Sequence, residues 1–170
     1  MSNQIFHYYV EGECEKKLID ELKKVGCQKV VSGKVDVLNV VNTKISDSRL
    51  LTLKKGTIVI LVYDIDKGNF EILKDNIKKL RDNNFKNIIH IQSIKNFEDE
   101  IVFSTTIKKI EELFNTQGVN DFKKKFISQK DILVKLNSVK FDYHKIWSRI
   151  NKDEPFSVYS NEYYLKYIKK

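Results

Sequence analysis

Proline occurs once in this 170-residue chain and glycine six times, and no stretch is dense in proline, glycine or serine. That excludes a collagen-like chain and argues against a disordered one or a flexible linker between domains. Cysteine is scarce too. Cys14 and Cys27 do not form a C-x-x-C pair, so neither a disulfide framework nor a cysteine zinc site is expected. No apolar run approaches the roughly 20 residues of a membrane-spanning helix. The amino terminus, MSNQIFHYYVEGE, lacks the basic region and long apolar stretch of a signal peptide. The expectation is a cytoplasmic protein with reduced thiols and no membrane partner.

What is present suffices for a folded domain. The chain is 41% hydrophobic and 32% charged, enough apolar material for a core at a length that suits one domain with an appendage. The net charge is +8, and residues 107–170 hold 14 Lys+Arg against 8 Asp+Glu. A polyanion such as DNA or RNA is therefore a candidate partner, with its contact face toward the C-terminus.

Periodicity divides the chain in two. Residues 4–10 (QIFHYYV), 34–41 (KVDVLNVV), 57–64 (TIVILVYD) and 87–93 (NIIHIQS) are short, apolar and rich in β-branched or aromatic residues, and predict four strands. Between them come helical patterns. Leu18, Ile19, Leu22 and Val25 lead to a stop at Gly26. A second helix is capped by Ser46 or Asp47, carries Leu50, Leu51 and Leu53, and closes at Gly56. A third bears Phe70, Ile72, Leu73, Ile77 and Leu80. The order β-α-β-α-β-α-β with helical crossovers predicts a doubly wound, mainly parallel four-stranded sheet. From Phe97 the helical period dominates, through EDEIVFSTTIKKIEELF, DFKKKFISQKDILVKL and NEYYLKYIKK. The predicted organisation is a core over 1–98 and a basic, aromatic-rich helical appendage over 99–170, packed on it.

Sites in open parallel sheets form at the carboxyl ends of the strands. Glu11 follows the first strand, with Gly12 allowing a sharp turn and Glu13 and Glu15 just beyond. Asp64 and Asp66 end the third strand as D-x-D, pointing the same way. Glu98 follows the fourth. If the first and third strands are neighbours, Glu11 meets Asp64 and Asp66. Oxygen-only carboxylate clusters suit Mg²⁺ or Mn²⁺ rather than zinc, and such ions activate water against phosphodiesters. Helix-end charge is an equally good account of Glu13 and Glu15. His7, His90 and His144 read as packing residues, and Cys14 lacks a His or Asn partner at motif spacing. The aromatics Phe141, Tyr143, Trp147, Phe156, Tyr159, Tyr163, Tyr164 and Tyr167 suit base stacking or core packing equally. Lys67 and Lys95, beside the acidic motifs, and Lys123, Lys124 and Lys125 are candidate phosphate contacts.

YYVEGECEKKLI followed by ILVYDIDKG resembles the Toprim domain, in which a glutamate ends the first strand and D-x-D ends the third. EGECE is similar to the E-G-x-T-E start of RloB-like and OLD-family nucleases, with Cys14 at the threonine position. SIKNFEDE resembles the S-N-P-x-F-E segment of RloB-like proteins, keeping Ser93, Phe97 and Glu98 without the proline. The resemblance covers about the first three-fifths of the chain. It implies a Toprim-like fold and a Mg²⁺- or Mn²⁺-dependent nuclease, with Glu11, Asp64 and Asp66 catalytic and Glu11, Glu15, Asp64, Asp66 and Glu98 holding metal. It also implies an antiviral defence role beside a partner ATPase, with an oligomer open. Two alternatives remain. A haloacid-dehalogenase-type phosphatase also uses D-x-D, but on the first strand and with a G-D-x-x-x-D segment that is missing here. A non-catalytic nucleic-acid-binding or regulatory module would keep the fold and the acids.

Overall fold

A computed structural model describes residues 4–24 and 29–160. Val25, Gly26, Cys27 and the predicted final helix over 161–170, with Tyr163, Tyr164 and Tyr167, lie outside the described residues. The four strands are β1 (Phe6–Val10), β2 (Lys34–Val37), β3 (Ile58–Asp64) and β4 (Ile88–Ser93). They form one all-parallel sheet in the order β2-β1-β3-β4. Helices α1 (Glu13–Leu22), α2 (Asp47–Leu51) and α3 (Phe70–Asp82) cross between successive strands.

The strand order dictates where the helices go. From β1 the chain steps outward to β2, then returns past β1 to β3 and on to β4. Right-handed crossovers in opposite directions must lie on opposite faces of the sheet. Accordingly α1 packs with Tyr8, Val10, Ile60 and Val62 on one face. Leu50 and Leu53, and Leu73, Ile77 and Leu80 of α3, pack with Tyr9, Val59, Leu61 and Tyr63 on the other. β3 is buried from Ile58 through Tyr63 because both of its faces are covered. Buried Asn76 ties the β2–α2 connection to α3, donating to Val40 O and Thr43 O and accepting from Ile45 N.

Beyond β4 come α4 (Phe97–Phe103), a 3₁₀ turn at Ile110–Leu113, α5 (Val119–Ser128) and α6 (Ile132–Ser138). Phe97, Ile101, Phe122, Phe126, Ile132, Leu136 and Trp147 share one apolar cluster with the α1 face of the sheet. A second 3₁₀ turn at Phe156–Tyr159 reaches the opposite face, where Phe156 O accepts from Gln92 Nε2 and the Phe156 ring packs on Tyr63 and Phe70. No helix among the described residues is long and apolar enough to cross a membrane.

Several predicted boundaries move. β2 leaves the ladder after Val37, although Leu38 N still donates to Val10 O and Leu38, Val40 and Val41 stay buried. α2 ends at Leu51, whose side chain is 87% exposed, and Gly56 (φ 80°) serves the turn into β3 instead. The helical pattern after Phe97 is broken into short pieces. Ser104 and Thr105 turn their hydroxyls back onto the carbonyls of Glu100, Ile101 and Val102, competing with helix continuation. Gly118 (φ 116°) forces the next break. Trp147 is fully buried but lies in an irregular segment at φ 54°, so His144 and Trp147 do not share the predicted helix.

Candidate metal centre

Because β1 and β3 are neighbours and their onward connections leave in opposite directions, the crevice between their carboxyl ends is the switch point of the sheet. Glu11 lies one residue past β1, and Asp64 is the last residue of β3. The two motifs meet there directly. Glu11 Oε2 accepts from Asp64 N at 2.9 Å, a contact across 53 residues. A cavity of about 280 Å³ opens at this point, lined among others by Glu11, Glu13, Glu15, Asp64, Glu98 and Lys123.

Each acid is placed by a different element. Glu15, in the first turn of α1, is buried against the strand ends. Gly12 is extended (φ −148°), which any residue adopts, so it does not supply the sharp turn expected of it. Its role is close approach: a Cβ there would sit 3.1 Å from Glu15 Oε2. Asp64 Oδ2 accepts from Phe97 N at 3.3 Å. Asp64 Oδ1 is buried without a hydrogen bond of ordinary geometry, as is the hydroxyl of Ser93 opposite it in the β3–β4 ladder. Glu98, in the first turn of α4, is buried, and its Oε1 lies 3.0 Å from Lys123 Nζ.

Burial and mutual repulsion shape the electrostatics. Desolvation, then the charges of Glu11 and Glu15, pushes the Asp64 carboxyl up to about 8, with Ser93 and the Phe97 N–H only tempering the rise. Desolvation also pushes Glu15 up to about 7, with Glu11 and Glu98 adding to it. Glu11 is raised by burial and by Asp66 and Glu98, against the relief of the Asp64 N–H. Desolvation works against the charge of Lys123, yet Glu98 outweighs it and holds the ammonium pKa above its ordinary value. Carboxyls gathered out of water favour protons or a cation.

The other predicted residues fall differently. Asp66 is not in the cavity lining. β3 ends at Asp64, so strand alternation no longer governs position 66, and Asp66 sits exposed in a bend, from which its charge bears on Glu11. Lys67 is exposed in the same bend. Lys95 has a left-handed backbone (φ 74°) and an exposed side chain outside the cavity lining, 3.9 Å from Asp99. Of the three consecutive lysines only Lys123 enters the site. Lys124 is exposed, and Lys125 faces Asp121 at 3.6 Å.

Cys14 is buried, with its thiol pushed up to about 12 by desolvation and the nearby acids, so it is no nucleophile. His7 lies 3.1 Å from Asp36, and His90 meets the Tyr63 hydroxyl at 3.2 Å and stacks on Tyr159. Neither reaches the cavity.

Sequence reasoning named Lys123 as a phosphate contact but not its entry among the carboxylates. Its signal is helical phase: Phe122 and Phe126 mark the buried stripe of α5, and Lys123 and Ile127, one residue on, both line the cavity. Asn39, also in the lining, follows β2 and carries no signal of its own.

The donor set suits a hard divalent cation: it is all oxygen and partly desolvated. Among the described residues no three His, Cys, Asp or Glu side chains are gathered tightly enough to hold an ion as they stand. Glu11 is turned onto the Asp64 N–H, and Glu98 onto Lys123. Comparison with family models, curated proteins and solved structures gave no match.

Proposed function

We propose that the chain is a Mg²⁺- or Mn²⁺-dependent nuclease of the Toprim type, hydrolysing phosphodiester bonds in DNA or RNA. The observation that carries this reading is the meeting of Glu11 with Asp64 at the switch point, in a cavity that Glu15 and Glu98 also line. Glu11, Glu15, Asp64 and Glu98 would hold the cation, and Asp66 would add negative charge close to Glu11. A bound divalent cation supplies Lewis acidity toward the phosphodiester and lowers the pKa of water.

The protein's own groups do the rest. The β1 and β3 backbones fix Glu11 and Asp64 at the head of the crevice, where Glu11 is the best-placed general base. Lys123, released from Glu98, faces the substrate phosphate as a cation. Lys67, Lys95, Lys124 and Lys125 supply sequence-independent phosphate attraction. Cytoplasmic action as a defence effector beside an ATPase follows from the RloB-like and OLD-family resemblance alone.

A non-catalytic module draws on one observation, the Lys123–Glu98 pair within a site that gathers no ready triad. A phosphatase is disfavoured because D-x-D stands on the third strand. Labelled single- and double-stranded DNA and RNA, with p-nitrophenyl phosphate as a monoester control, separate the three. The nuclease is supported by oligonucleotide cleavage in Mg²⁺ or Mn²⁺ that chelator stops. Monoester turnover alone would move the assignment to a phosphatase, and binding without turnover to a non-catalytic module.

A further inference from the structure

Behind the acidic cavity, and outside its lining, lies a second charged cluster. Glu100 is fully buried on α4. Its Oε1 accepts from Ile94 N at 2.9 Å and from Arg149 through Nη2 at 2.7 Å and Nε at 3.2 Å. Its Oε2 accepts from Trp147 N at 2.9 Å. Arg149 Nη2 also donates to Asp99 Oδ2 at 2.6 Å and to Ile94 O at 3.2 Å, and its guanidinium lies over Phe103. Both polar groups of Ile94 are thus gripped by one ion pair, its carboxylate fully buried and its guanidinium partly so.

Ile94 opens the turn from β4 to α4, and that turn carries the site. Asn96 caps α4, accepting from Asp99 N at 3.0 Å. Phe97 N donates to Asp64 Oδ2, and Glu98 follows it into the cavity. The turn also grips the D-x-D segment, with Ile65 N donating to Ser93 O and Asp66 N to Lys95 O, each at 3.3 Å. The turn includes a lysine at φ 74°, a conformation an unsupported chain leaves readily.

We propose that Glu100 and Arg149 are positioning residues for the acidic site: by fixing Ile94 from both sides they hold the 94–97 turn so that Phe97 N–H and Glu98 face Asp64. Neither side chain reaches the cavity, and both act through the backbone of the turn. The segment carrying Arg149, far along the chain, therefore completes the site. The consequence for catalysis rests on the divalent-cation reading above. The simpler role, a buried ion pair that only stabilises the fold, predicts a different pattern.

The test compares ¹⁵N-labelled wild type, Arg149→Lys and Ile77→Val. The last loosens the opposite core, where Ile77 is buried away from the turn. Arg149→Lys keeps the charge and loses the fork that spans Glu100, Asp99 and Ile94. Melting, the Phe97 amide resonance with its hydrogen exchange, and Mn²⁺ affinity by electron paramagnetic resonance are read for each. Arg149→Lys should move the Phe97 amide and weaken Mn²⁺ binding about tenfold, as loss of outer support does at metal sites. Ile77→Val should lower Tm while leaving both unchanged. An unmoved Phe97 amide in Arg149→Lys, or an equal change in Ile77→Val, overturns the proposal. If wild type binds no Mn²⁺, the cation reading falls while the Phe97 amide still decides the positioning role. Should Arg149→Lys not fold, Glu100→Gln/Arg149→Gln, which removes both charges, takes its place.

Discussion

Binding a divalent cation to this site should expel protons, because burial and mutual repulsion hold its carboxyls protonated. Asp64 is held up to about 8 and Glu15 up to about 7. At pH 7 the first is therefore mostly protonated and the second partly so. Cation ligands must be deprotonated, so Mn²⁺ binding at pH 7 should release roughly one proton or more, with Glu11, also raised, adding to the number. Ordinary exposed carboxyls, with pKa values of about 4, would release almost none. Calorimetric titration in buffers of different ionisation enthalpy reads the number as the slope of observed enthalpy against buffer enthalpy. The slope should fall toward zero by pH 9, and Mn²⁺ affinity should rise more than tenfold between pH 6 and pH 7. A zero slope at pH 7 together with an affinity flat from pH 6 to pH 8 would refute the account of buried, mutually repelling acids.

Other outcomes follow from the same geometry. In the metal-free protein Asp64 has a folded pKa above its unfolded one, so its contribution to stability is full below about pH 4 and is lost as pH rises toward 8. Asp64→Asn should therefore match wild type in thermal melts at pH 4 and exceed it by about 1 kcal/mol or more above pH 8, while losing metal-dependent stabilisation. Equal melting at both pH values would mean that Asp64 is ionised and well solvated. Among the opening acids Glu11→Gln should cost the most cleavage at saturating Mg²⁺ and Glu15→Gln less. Glu13→Gln, whose side chain is exposed, should be nearly silent, and the ranking fails if Glu13→Gln is worst. Lys124→Gln/Lys125→Gln should weaken nucleic-acid binding alike for all sequences and reduce its salt slope, by about one for each phosphate left without its lysine. Lys123→Gln, which leaves Glu98 without its cation, should instead change Mn²⁺ affinity.

The parts of this architecture written in local sequence were legible. IVILVY (58–63) is apolar and rich in β-branched residues because β3 is covered on both faces, and the strand-end rule then brings Glu11 to Asp64. The parts that depend on distant chain were not. Nothing in EDE tells that Glu98 meets Lys123 and Glu100 meets Arg149, since both pairings arise from how α5 and the segment after α6 pack. Asp66 misled because i, i+2 alternation was extended one step past the last residue of β3. The helices after Phe97 were overrun because apolar periodicity persists through positions where Ser104, Thr105 and Gly118 stop the backbone.

The proposed hydrolysis of phosphodiesters in the crevice between β1 and β3, with a divalent cation, is tested most directly by the cleavage rate of labelled DNA and RNA by wild type and Asp64→Asn, at equal folded fraction, in Mn²⁺ and in EDTA. The account predicts cleavage by wild type in Mn²⁺ alone, and a loss of about 100-fold or more in Asp64→Asn, about 3 kcal/mol of barrier. Cleavage that persists in EDTA, or that Asp64→Asn retains in full, would contradict it.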